Sequence, residues 1–209
     1  MDYITETIDY KGHTIEIGFD PDPQDPREWD CHLGTMICNH WKYDLWDEKF
    51  WYRRWSFIKD LRERLWVTAS ELERDYIVLP LYLYDHSWIT INTTWYWCQW
   101  DSWQVGYIYV SKEEARKWFN VKRLNRNEVI QKLVWEVKEY DAYLTGQVYM
   151  FNIWEGACWW YYEETDAIAE AKYEIDCSIK YQIDKHIKYI KGCIKSKTNI
   201  LYRNTLQLW

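Results

Sequence analysis

Three side chains that together make a thiol nucleophile fall within 16 positions of one another: His86, Cys98 and Asp101. A sulfur, an imidazole to take its proton and a carboxylate to orient the imidazole are the parts such a nucleophile needs. Asp85-His86-Ser87 ends one apolar run, and Cys98 with Asp101-Ser102 precedes the next. A hairpin-like connection would therefore bring the three together. The same residues have a structural reading, with Cys98 as a small buried hydrophobe and Asp85 and His86 as turn-stabilising hydrogen bonders. Cys98 does not open a helix, where the backbone dipole would lower its pKa. A further possibility is an aromatic pocket for a small signalling molecule near His86, Trp100 and Gln104, with Asp85 a further candidate binding residue.

Cys31, His32, Cys38 and His40 offer four metal-ligand types within ten residues. Cys38 and His40 share one face of a strand, but adjacent Cys31 and His32 would have to turn sharply to join them, and no zinc finger has this spacing. The expectation is no metal. There is no phosphate-cradling glycine loop, dinucleotide fingerprint or HExxH, so no cofactor is expected either.

The net charge of −7 conceals a polarity. Residues 1–30 carry nine acidic side chains against two basic ones, among them Asp22, Asp25 and Glu28, whereas 178–203 carry six lysines and Arg203 against Asp184. An acidic loop can imitate the phosphates read by nucleic-acid-binding proteins, which makes Asp22, Asp25 and Glu28 candidate binding residues. Lys180, Lys188, Lys191, Lys195 and Lys197 would contact nucleic acid in a basic protein. In this acidic chain a solvated helix face is expected instead.

The 209 residues suit one α+β domain, 1–209, and show no linker or internal repeat. No apolar run is long enough for a membrane span, and the start lacks the layout of a signal peptide, so a cytoplasmic protein with reduced thiols is expected.

Alternation on both sides of Lys11-Gly12 predicts an N-terminal hairpin across Thr7–Tyr10 and Thr14–Phe19. Three of the four prolines then fall between Asp20 and Pro26, marking an extended loop. Strand character returns over Leu33–His40, and Ile77–Tyr84, Ile89–Ile91 and Val105–Val110 give a central antiparallel or mixed sheet, with a further strand over Gln147–Trp154. Pro80 places its strand at an edge or a bulge. Helical spacing covers 56–66, and Thr68–Tyr76 extends or repeats it. Ser111 with Glu114 is a capping box for a helix to about Phe119, and Asn125 caps another that Gly146 ends. From Asp166, isoleucines recur every three or four residues to Ile194, a long amphipathic helix covering the sheet or another subunit.

Several stretches, Pro26-Arg-Glu-Trp-Asp30, Leu33-Gly-Thr-Met36, Pro80 to Ser87, Cys98 to Gly106, Ile108 to Ser111 and Tyr140 to Gly146, resemble a family of small uncharacterised proteins of bacteriophages and bacterial mobile elements. The resemblance carries no established activity. It implies an accessory protein that binds a host component, most directly a host protein, in an anti-defence or host-takeover role. A small cysteine-dependent hydrolase or transferase and a small-molecule scavenger are the alternatives. Where the family pattern has glycine, this chain has Trp46, Trp88 and Trp103, in segments that read as turns. The chain holds seven glycines and 17 tryptophans. Ordinary proteins have about 7% glycine. A UGA codon reassigned to glycine but read as tryptophan would account for both observations, a genuinely Trp-rich protein being the alternative.

Overall fold

A computed structural model describes residues 3–29, 31–38, 40, 42–43, 47–49, 57–86, 88–95 and 101–206. They form an α+β protein of two compact units, one comprising 1–19 with 149–209 and the other 20–148.

The first unit opens with β1 (Ile4–Tyr10) and β2 (His13–Phe19). They are joined at the predicted turn, where Lys11 and Gly12 both take positive φ as the twist of a tight hairpin requires. β8 (Tyr149–Ile153) and β9 (Gly156–Tyr161) complete an antiparallel sheet of order β1-β2-β8-β9. The amphipathic helix extends beyond the span predicted, running as α5 from Glu164 to Leu206. Its early positions Ala167, Ala171 and Ile175 are fully buried against Ile15, Ile17 and Phe151. The two alanines let the helix axis come close to the strands. Lys11 Nζ lies 2.6 Å from Asp176 Oδ1, pairing the hairpin turn with the helix and holding the Asp176 carboxyl below its ordinary pKa. Beyond Ile179 the stripe is exposed: Ile183, Ile187, Ile190 and Ile194 meet solvent.

The second unit contains a mixed sheet of order β4-β3-β7-β5-β6, made of β3 (Thr35–Cys38), β4 (Glu48–Lys49), β5 (Tyr76–His86), β6 (Trp88–Asn92) and β7 (Ser102–Ser111). Among the described residues only the β3–β4 pair is parallel. On one face Met36, Leu81, Leu83, Ile91 and Ile108 pack with Ala115 of α3 (Lys112–Phe119) and with Val129, Leu133, Val137 and Tyr140 of α4 (Arg126–Thr145). On the other, Ile37, Val78, Tyr107 and Tyr109 pack with Leu61 and Leu65 of α1 (Phe57–Leu65) and Leu72 of α2 (Ala69–Asp75). The result is a helix–sheet–helix sandwich. Thr68 and Glu71 form a reciprocal capping box, which makes α2 a separate helix rather than a continuation of α1. Pro80 meets both expectations locally: β6 pairs with β5 only from Tyr82 onward, and a register shift follows at Leu81/Tyr82.

The tryptophan expectation is corrected. Trp88 and Trp103 lie in β6 and β7, not in turns, and Trp103 has no positive φ that would demand glycine. Trp46 lies outside the described residues. The demand falls instead on Trp66 (φ 54°) and Trp160 (φ 74°). Helices α1, α3 and α4 end with the same pair of bonds around a left-handed residue. In α4 that residue is Gly146, in α3 it is Asn120, and in α1 it is Trp66, with Val67 N donating to Arg62 O at 3.0 Å. Trp160 lies where the register of β8 and β9 slips, between the Phe151–Cys158 and Tyr149–Tyr161 pairs, a bulge position that also favours glycine. Trp66 is 93% exposed and so has little packing to lose. Trp66→Gly is therefore expected to stabilise the protein by about 1 kcal/mol, read as a raised urea midpoint. Codon reassignment accordingly predicts UGA, not UGG, at codons 66 and 160.

Candidate functional site

The ends of β3 and β5 and the start of β7 bring several of the sequence candidates together. His86, the last residue of β5, presents an exposed imidazole whose Nδ1 is 3.4 Å from Asp101 Oδ2, and Asp85 N donates to Asp101 O at 3.1 Å. Asp85 Oδ2 in turn accepts from Tyr43 Oη at 3.0 Å and from Lys42 Nζ at 3.3 Å. Burial opposes ionisation of Asp85, but these two hydrogen bonds and the lysine charge outweigh it and bring its pKa below the ordinary value. The Lys42 ammonium also lies 4.6 Å from the centre of the Tyr43 ring.

His40 stacks on Tyr43 at 4.9 Å and on Trp103 at 5.7 Å between ring centres. Its Nδ1 accepts from the backbone amides of Lys42 and Tyr43, which requires that nitrogen to be unprotonated. Burial lowers its pKa in the same sense. The ring therefore works as a neutral spacer between Tyr43 and Trp103. Sequence spacing marks His40 only as a metal-ligand type. The aromatic sandwich depends on β3 and β7 being neighbours, which no local pattern encodes.

Cys98 and Trp100 lie outside the described residues. The described part of the proposed triad is the imidazole–carboxylate pair, on an open surface. Gln104 points along its own strand, its amide donating to Gly106 O at 3.3 Å. Among the candidate metal ligands, Cys38 is buried in the sheet core while Cys31 is exposed in the preceding loop.

In the proline-rich segment Asp22 and Glu28 are exposed, but Asp25 has a structural task, its side chain accepting from Arg27 N at 2.7 Å to cap the 3-10 turn Pro26–Glu28. The segment is anchored by Arg27, whose side chain is 5% exposed. Its guanidinium grips Asp47 with two N–H groups, Nε at 2.8 Å, and donates to Gly34 O at 2.6 Å. Nη1 reaches Glu136 Oε2 of α4 at 3.4 Å. Glu136 also accepts from the amides of Leu33 and Gly34 at 2.6 and 2.9 Å, and Asp47 from the amide of Met36 at 2.7 Å. Burial would disfavour the charged arginine, but Asp47 and Glu136 more than offset it, so its pKa is raised. One helical turn on, burial pushes the Glu139 carboxyl up to about 7.

A second site carries no sequence motif. Lys112 and Arg116 of α3, Lys122 and Arg123 of the following loop, and Arg126 at the first position of α4 surround a cavity of about 370 Å³. Ile77 and Leu124 form its apolar wall. The available signal is a cation directly after the Asn125 cap, at the positive end of a helix dipole where an anion is preferred.

No helix of the described residues is long and apolar enough to cross a membrane. No family model, curated protein or solved structure matches this chain.

Proposed function

We propose that this chain is an accessory protein of a bacteriophage or mobile element that acts by binding a host protein in the bacterial cytoplasm, through the surface at the end of β5. The resemblance of its motifs supplies the accessory role. The observation that supports binding is the exposed indole of Trp88, 64% accessible, beside a charged group of side chains already oriented by one another. An exposed aromatic next to preset polar groups is the composition of a binding hot spot, because little side-chain entropy remains to be lost on contact. Trp88 is paired in β6 opposite His86, which holds its indole beside that group. The exposed carboxylates Asp22 and Glu28 are a second contact region under the same reading.

The test is capture of a host protein from lysate by the intact chain, compared with the Trp88→Ala/His86→Ala double variant. The reading expects one specific partner whose recovery falls at least about tenfold in the variant, which corresponds to the loss of one hot-spot contact, with the melting temperature unchanged. Equal recovery by both proteins rejects this surface. The rival, a cysteine-dependent hydrolase or transferase, draws on the His86–Asp101 pair. It requires Cys98 to react with iodoacetamide with an apparent pKa well below the ordinary thiol value of about 8.5. An ordinary profile sets that rival aside.

A further inference from the structure

We infer that the cavity between α3 and the start of α4 binds a small organic phosphate carrying two or more phosphate groups, in the chemical class of nucleoside di- and triphosphates. Five cationic side chains line it and no carboxylate does, in a chain whose net charge is −7. The carboxylates closest in sequence have other partners: Asp75 pairs with Arg74 at 2.6 Å, Glu113 with Lys117 at 2.8 Å, and Glu128 accepts from Asn125 at 2.8 Å. Lys112 Nζ donates to the carbonyls of Glu73 and Arg74 at the end of α2. Arg116, Lys122, Arg123 and Arg126 close no salt bridge among the described residues.

Such an arrangement disfavours folding. Arg126 occupies the first position of α4, against the positive end of that helix's dipole, and Lys122 and Arg123 add like charge nearby. A bound polyanion converts that repulsion into attraction. The volume falls in the range of small-ligand pockets, roughly 300 to 1,000 Å³. Arg116, Lys122, Arg123 and Arg126 present more positive charge than one phosphate neutralises, which favours a di- or triphosphate, and Ile77 with Leu124 offers an apolar wall to the remainder of the ligand.

Isothermal titration calorimetry of the full chain at about 150 mM salt, where long-range attraction is screened, tests this with ATP, pyrophosphate, adenosine and a 12-nucleotide single-stranded DNA. ATP and pyrophosphate are expected to bind with micromolar Kd and adenosine to give no heat. Arg123→Ala/Arg126→Ala, at two exposed positions, is expected to weaken ATP at least about tenfold without lowering the ligand-free melting temperature. Absence of heat with both ATP and pyrophosphate overturns the inference, as does equal affinity in the double variant. DNA binding that ATP does not compete for overturns it as well, by assigning the cations to a nucleic-acid backbone.

Discussion

Arg27→Ala is expected to destabilise the 20–148 unit by about 3 to 5 kcal/mol, the scale for removing one partner of a buried ion pair. The arginine satisfies two carboxylates and a backbone carbonyl at once, and its loss leaves Asp47 and Glu136 buried together without their shared cation. Lys132, 3.6 Å from Glu136 and partly exposed, cannot replace a bidentate fork. A unit of this size is stable by only about 5 to 15 kcal/mol, so the change removes a large fraction of the total. Urea unfolding followed by tryptophan fluorescence reads the shift. Arg27→Lys should recover only part of the loss, because it keeps the charge but not the paired N–H geometry. The triple variant Arg27→Met/Asp47→Asn/Glu136→Gln should recover more, since it removes the uncompensated charge. A loss below about 1 kcal/mol for Arg27→Ala would place the network at the surface in solution.

The network also shows where sequence legibility ends. Its two halves, the Pro26-Arg-Glu-Trp stretch and the Leu33-Gly-Thr-Met stretch, can be singled out as motifs, but the carboxylates that join them come from positions 47 and 136. Nothing in the spacing of Arg27 predicts a partner 109 residues away. Local rules work where the physics is local. Ser111 with Glu114, Asn125, Gly12 and Gly146 each do what their residue type and immediate neighbours dictate. The same rules misplace the glycine-demanding sites, because they infer a turn around Trp88 and Trp103 where pairing with β5 keeps both extended. β9 escapes them for the opposite reason, its Gly156–Tyr161 segment having aromatic residues on both faces and therefore no alternation to read. The candidate site divides in the same way. His86 and Asp101 are linked by the proximity of two strand ends, whereas Lys42, Tyr43 and the cationic cavity depend on which elements become neighbours.

The position at which β3 meets β7 carries the other large expected effect. Gly106 is central in β7, opposite Cys38 on one side and Leu81 on the other. A methyl group added there would stand 1.9 Å from Ile37 O and 2.9 Å from Ile37 C. Both atoms belong to backbone, so no rotamer change relieves the clash. β3 must move away by more than 1 Å, roughly the shortfall from ordinary contact distance. Gly106→Ala is therefore expected to cost at least about 2 to 3 kcal/mol, the upper part of the range for overpacking a well-filled core. Displacing β3 also strains the hydrogen bond that the Met36 amide donates to Asp47. The two large effects should consequently be less than additive: once Gly106→Ala has loosened β3, Arg27→Ala has less intact network to break. A double-mutant cycle in urea measures this directly, and full additivity would mean that the β3–β7 pairing and the buried arginine act independently.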